Sequence, residues 1–263
     1  MGSSTINAVE RTLRLIEGLS QNPNGKGIVQ LAGETNLPPS TVHRALQTLF
    51  KAGYVTQEKA SGHYRLTTKL LEVSRQGVVN RTLRQAALAP LSNLRDATHE
   101  SAHLAILDSG SVVTVESFMS TERNIIECRV GERLPVHCNS VGKCLLAFLG
   151  EASLNRVLGE IELTRYTPQT ICTLTGLKSE LETVRLRGYA LDWDEYETGI
   201  RCVAAPVRDP FNSVVAAVGI SGPSSRITEK VLPNLTTCVV AAADTISQAL
   251  RGGETDASSK KDA

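Results

Sequence analysis

Apolar side chains recur at helical spacing through the first fifty residues. Val9, Leu13, Ile16 and Leu19 fall on one stripe of INAVERTLRLIEGLS, which predicts a helix over 6–20 that stops at Asn22-Pro23-Asn24-Gly25. Ile28, Leu31 and Ala32 predict a second, short helix in IVQLAGETN, and Leu37-Pro38-Pro39-Ser40 breaks it, with Ser40 expected to cap and open a third. In that third segment, STVHRALQTLFKAGY, the apolar face is Val42, Ala45, Leu46, Leu49 and Phe50. The opposite face carries Thr41, His43, Arg44, Gln47, Thr48 and Lys51, and Gly53 is its expected C-terminal stop. The period then drops to two, giving a strand at 54–56, a polar tip at 57–62 and a return strand at 63–66.

Residues 68–98 read as helical, interrupted near Asn80 and Pro90, and serve as linker and first helix of a second domain. SAHLAILDSGSVVTVESF, residues 101–118, alternates like two strands joined at Asp108-Ser109-Gly110, a strong hairpin signal. Helices are predicted at 140–149, 151–161, 177–188 and 228–250, and strands at 190–193, 202–208 and 214–221. Val239, Val240, Ala243 and Ile246 in the last helix form a core stripe. The expected organisation is therefore 5–67, a first domain; 68–98, the helical connection; 99–251, a second domain; and 252–263, a disordered tail of sequence GGETDASSKKDA. The fold class is α+β.

Composition narrows the field without choosing within it. A chain of 263 residues with 41% hydrophobic and 21% charged residues has the makeup of two ordinary globular domains. It lacks an apolar run of roughly 18 residues, and its start lacks the apolar centre of a secretory signal, so a cytoplasmic protein without membrane contact is expected. Cys128, Cys138, Cys144, Cys172, Cys202 and Cys238 show no paired spacing and are read as reduced thiols. The net charge of +1 hides an asymmetry: residues 1–80 hold 9 Lys+Arg against 5 Asp+Glu, and the remainder 19 against 22. A basic first third is what a partner of a polyanion would carry.

Three short helices with a tight second turn and a two-stranded wing make a winged helix-turn-helix, whose third helix fits the major groove of double-stranded DNA. Thr41, His43 and Arg44 are placed to read bases, Arg44 foremost, because a guanidinium bonds bidentately to guanine O6 and N7. Ser40, Gln47, Lys51, Lys59 and Arg65 are then phosphate contacts. A helix with one polar face is more often merely solvated, and the order of all three helices plus the wing is what weighs against that reading.

VERTLRLIEGLS, LPPSTVHRALQTLFKAGYV and YRLTTKLLEV, followed by RLPVHCNSVGKCLLAFL, GYALDWDEYETGIRCVAAPVRD and VVAAVGISGPSSRIT, resemble the IclR family of bacterial transcriptional regulators over residues 5–250. The resemblance implies a GAF-like effector domain with an antiparallel sheet flanked by helices. It also implies dimers through the DNA-binding half, often paired into dimers of dimers, and a location at the nucleoid. Repression is the implied mode. The sensed ligand would be a small organic acid or aromatic metabolite, at positions matching Ser140, Val141, Asp192, Cys202, Gly219 and Ser221.

The chemistry of those positions agrees with an acid. The Ser140-Val141-Gly142-Lys143 turn enters a helix, where free amides suit a carboxylate. Asp192 can accept from a hydroxyl or hydrated carbonyl, Ser221 can donate to a carboxylate oxygen, and Cys202 can form a weakly polar wall. Gly219 stands where several small-acid sensors of the family carry serine, which favours a bulkier or less polar ligand. Cys202 and Ser221 also suit plain strand packing, and Trp193 suits either pocket or core. His103, Cys128, His137 and Cys138 lack the spacing of a zinc motif, so no metal and no cofactor are expected. Two other readings stay open. One is a thiol enzyme using Cys202 or Cys138 with His137 or His103 as base, which lacks a nucleophile motif. The other is a DNA-binding oligomer without a ligand.

Overall fold

The computed structural model describes residues 7–70, 73, 81–123 and 125–252, and the chain divides into two compact units, residues 1–80 and 81–263. The expected tail from residue 253 onward, and the expected interruption at Asn80, lie outside the described residues.

In the first unit, helices α1 (Asn7–Ser20), α2 (Ile28–Thr35) and α3 (Pro39–Lys51) precede a hairpin of β1 (Val55–Gln57) and β2 (Tyr64–Leu66). Leu15, Leu19, Leu31, Val42, Leu46, Leu49, Val55 and Tyr64 close its core. The inward face of α1 differs from the predicted stripe, since Val9 and Leu13 are each 53% exposed while Leu15 is fully buried. Two apolar stripes overlap on this helix, and α2 and α3 meet the one centred on Leu15 and Leu19. Phe50 is likewise 48% exposed, not part of the core. The third helix starts one residue earlier than predicted, with Pro38 at its N-cap position and no side-chain cap, so Ser40 does not serve as one. Its end is as expected. Gly53, at φ +81°, lets the Tyr54 amide reach the Leu49 carbonyl (2.9 Å) and its own amide the Phe50 carbonyl (3.0 Å), the paired bonds of a Schellman stop.

The second unit is built on a six-stranded antiparallel sheet of order β5-β4-β3-β8-β7-β6. The strands are β3 (Ser101–Asp108), β4 (Ser111–Phe118), β5 (Arg133–Pro135), β6 (Ala190–Trp193), β7 (Ile200–Arg208) and β8 (Val214–Pro223). Ser109 and Gly110 both have positive φ, as the two-residue turn between β3 and β4 requires. Helices α4 (Arg81–Thr98) and α8 (Leu232–Gly252) pack together on one face, while α5 (Ser140–Ala147) and α7 (Leu174–Arg187) cover the other, with α6 (Glu151–Glu160) outside them.

Three differences from the sequence expectations stand out. Helix α4 runs unbroken through Pro90, because Leu83, Ala87, Leu91 and Leu94 keep one side of it buried along its length. Strand β5 was not predicted; it is a three-residue edge strand with a half-exposed, charged sequence. Helix α8 begins at Leu232, four residues later than expected, with Val239, Ala243 and Ile246 of the predicted stripe buried and Val240 only half-buried.

Candidate functional site

On the first unit, the polar face of α3 stands free. Ser40, His43, Arg44 and Lys51 are exposed and Thr41 is half-buried at the helix start. Gln47 is held by its amide donating to the Tyr64 hydroxyl at 3.3 Å, which joins α3 to the wing. Tyr64 in turn exchanges backbone bonds of 3.0 Å with Lys26, so the wing has a third, short partner that the sequence did not reveal. Lys59 lies exposed at the wing tip, and Arg65 on β2 sits 3.8 Å from Glu58. A helix held at its far end by a wing, with its first turns unencumbered, is the arrangement that enters a major groove.

The second unit places the other candidates on one face of the sheet. Ladder register puts Asp192 opposite Cys202, Cys202 opposite Ser221, and Ser221 opposite Ser101, so these side chains form a row across four strands beneath α5. The Cys202 thiol lies 3.1 Å from the Ser221 hydroxyl, and it interacts electrostatically with Asp192 on one side as the Cys128 thiol does with Ser221 on the other. The result is a buried polar chain, Asp192 to Cys202 to Ser221 to Cys128. Asp192 is 2% exposed, and burial pushes its carboxyl up to about 7, opposed by the amide of Glu195, which donates to it at 2.8 Å. Burial raises the Cys202 thiol well above its usual value and the Cys128 thiol to about 11. Trp193 points away from this row and lies under the Arg201 guanidinium, 4.0 Å from the ring centre.

Helix α5 roofs the row. Asn139 caps it, its Oδ1 accepting from the Gly142 amide at 2.7 Å, and the amides of Ser140 and Val141 are first-turn donors without an intrahelical acceptor. Gly142 has a steric role here: a Cβ would stand 2.3 Å from the Val136 carbonyl oxygen. Gly219 does too, since its Cβ would stand 2.9 Å from the Val203 carbonyl oxygen and 3.2 Å from Val141 Cγ1. Lys143, one turn into α5, is 1% exposed and donates to Glu195, with Glu180 3.7 Å away. The Glu195 carbonyl accepts from Thr170 (2.6 Å) and Thr167 (3.2 Å). A buried ion pair 52 residues apart in sequence thus ties the roof to the turn that follows Asp192.

A cavity of about 630 Å³ lies elsewhere, between the C-terminal end of α5, α6 and α7, lined by Phe148, Leu154, Lys178, Glu182 and Arg185. Arg185 is already committed to the Ala147 carbonyl. His137 is satisfied by the Thr164 carbonyl at 2.9 Å, and burial pushes the neighbouring Cys138 thiol up to about 12. Protonated thiols beside committed or buried imidazoles are the reverse of an activated nucleophile. Among the described residues, no group of three His, Cys, Asp or Glu side chains is arranged to hold a metal ion.

The family model for the IclR helix-turn-helix domain matches residues 8–59, and that for the bacterial transcriptional regulator IclR C-terminal region matches residues 75–248. The HTH-type transcriptional regulator XynR of Escherichia coli is 37% identical over 93% of this chain and 97% of its own length. The transcriptional repressor IclR of the same organism is 30% identical over 94% and 91%. Among solved structures, Thermotoga maritima IclR is 28% identical, covers 94% of this chain and 100% of its own, and superposes with a TM-score of 0.79. An IclR homologue from Microbacterium hydrocarbonoxydans, complexed with 4-hydroxybenzoate, is 27% identical with a TM-score of 0.80, over 93% and 99% of the two chains.

Proposed function

The chain belongs to the IclR family of bacterial transcriptional regulators, and on that premise we propose that it is a repressor whose hold on a double-stranded operator is set by a small organic or aromatic acid bound in its C-terminal unit. The family match over both units carries this reading. The chain acts by binding and not by catalysis, in keeping with the buried, protonated thiols.

Thr41, His43 and Arg44 read bases from the first turns of α3, and Ser40, Gln47, Lys51, Lys59 and Arg65 touch phosphates. The free polar face of α3 supports this assignment. The half-exposed Val9 and Leu13 on α1 supply apolar surface for a homodimer through the DNA-binding half, which pairs further into a dimer of dimers. The protein resides in the cytoplasm, at the nucleoid through its operator; among the described residues no helix is long and apolar enough to cross a membrane.

The effector lies between the first turn of α5 and the Asp192, Cys202 and Ser221 row. Its carboxylate takes the Ser140 and Val141 amides and the Ser221 hydroxyl, where N–H groups and the helix dipole favour an anion. Asp192, neutral below about pH 7, donates to a second oxygen, and Cys202 and Gly219 form the floor. We prefer this place to the outer cavity because its polar groups converge under cover, whereas the charged groups lining the cavity, Lys178, Glu182 and Arg185, are exposed. Binding shifts the operator equilibrium only by the effector's differential affinity for the two arrangements of the DNA-binding heads, and operator shifts effector affinity by the same factor.

The test is a gel shift with promoter fragments, including the DNA flanking the protein's own gene, with and without a panel of organic acids. Arg44→Ala should lose about 1–3 kcal/mol at one base pair, whereas Lys51→Ala should weaken all sequences alike and lower the salt slope by about one. Unchanged operator affinity in Arg44→Ala refutes the placement of the reading helix. A thermal-shift panel in which no acid raises the melting temperature would favour the ligand-independent oligomer instead.

A further inference from the structure

One buried group on the effector face stands outside the polar chain. His103, in the middle of β3, is 5% exposed, and its Nδ1 has no hydrogen-bond partner. Side chains alternate along a strand, and Ala105, two residues on, belongs to the core beneath α5, so the His103 ring faces the same side as Ser101 and Ser221. Its ladder partner on β8 is Gly219, which contributes no side chain, and the cover over that glycine is Val141 of the α5 roof. The ring therefore borders the floor of the proposed site. Burial holds its pKa down to about 4, so at neutral pH the imidazole is uncharged, with one nitrogen able to donate and one to accept. Packing does not call for a polar atom there, because an apolar side chain of similar volume would fill the position without an orphaned nitrogen.

We propose that His103 is a specificity-determining residue of the effector site, its free Nδ1 taking a hydroxyl or carbonyl that the acid carries away from its carboxylate. The site then selects hydroxy- and oxo-acids over the corresponding simple acids. Ser221 and His103 are diagonal neighbours on adjacent strands, roughly 7–8 Å apart at the backbone, which sets the second polar group several carbon atoms from the carboxylate. The inference rests on the effector reading above and names the ligand's second recognition point.

The experiment compares 4-hydroxybenzoate with benzoate and 5-hydroxypentanoate with pentanoate, by calorimetric titration of the full-length protein and of His103→Leu, His103→Asn and Ser221→Ala. The wild type should bind the hydroxylated member of at least one pair tenfold or more tightly. His103→Leu should bring that member to the level of the simple acid and leave the simple acid unchanged, and His103→Asn should restore part of the preference. Without ligand, His103→Leu should melt at or above the wild-type temperature, since it removes an unpartnered buried nitrogen. A lower melting temperature makes His103 a structural residue and overturns the inference, even if none of the four acids binds. So does a preference that survives in His103→Leu, or equal wild-type binding of both members of each pair. Acids that bind Ser221→Ala as tightly as wild type overturn the effector reading itself, a separate outcome.

Discussion

Replacing Gly142 by alanine sets two opposing effects against each other in α5. Helix propensity favours the change by about 1 kcal/mol, because glycine is the most entropically costly residue to hold in a helix apart from proline's separate penalty. Sterics oppose it. The new Cβ would lie 2.3 Å from the Val136 carbonyl oxygen, 2.7 Å from its Cα and 2.8 Å from its carbonyl carbon. All three are backbone atoms, so relief requires α5 to part from the β5–α5 connection by about 0.7 Å merely to reach the 3.0 Å that real contacts respect. Overpacking of this kind costs about 1–3 kcal/mol, and the displaced Gly142 amide loses its 2.7 Å bond to the Asn139 cap, about 1 kcal/mol more. The net is a loss of about 1–3 kcal/mol, or a fall of roughly 3–10 °C in melting temperature for a unit of this size. Scanning calorimetry of Gly142→Ala beside Gly159→Ala isolates the steric part, since Gly159 in α6 has nothing within 4 Å and should gain stability or hold it. Gly142→Ala melting at or above wild type would refute the close approach on which the effector roof depends.

Other consequences follow from the buried charges. The Asp192 carboxyl titrates near 7 in the folded chain against an ordinary value of 3.8, so the folded state holds its proton more tightly and stability falls as pH rises from about 4 through 7, by at most about 4 kcal/mol. Asp192→Asn should therefore melt higher than wild type at pH 8 and lose that advantage at pH 4; an advantage of equal size at both would contradict the assignment. For the same reason acid effectors should bind more tightly at pH 6 than at pH 8, and Asp192→Asn should flatten the difference in a calorimetric titration. Lys143→Met strands the Glu195 carboxylate and should cost about 3–5 kcal/mol in urea unfolding. Adding Glu195→Gln should restore part of that loss, and purely additive losses would show that the pair is not coupled.

The helix-turn-helix, its wing and the β3–β4 hairpin were legible because each is a local pattern. A 3.6-residue period, a polar tip or Asp108-Ser109-Gly110 is complete within a dozen residues, and the dihedral demands of Ser109, Gly110 and Gly53 show in residue type. The polar row was partly legible: Asp192, Cys202 and Ser221 are named by family resemblance, and register places them side by side. What escaped was every feature that depends on which surface meets which. Periodicity allowed two stripes on α1 and chose the one that carries Val9 and Leu13, and it broke at Pro90 a helix that long-range packing holds together. Nothing near Lys143 announces a buried cation, because its partner stands 52 residues away. His103 reads in the sequence only as a possible base or metal ligand, and its place on the effector face shows only when the fold covers it and leaves its Nδ1 without a partner. Sequence by itself determined most of the elements, their order and the family, since backbone preference and side-chain period are local properties, and it missed the short edge strand β5, which only pairing with β4 defines. Tertiary structure alone decided which polar groups lost their water, because desolvation is a property of the surfaces brought against a residue, and from that come the shifted Asp192, the paired Lys143 and the orphaned imidazole.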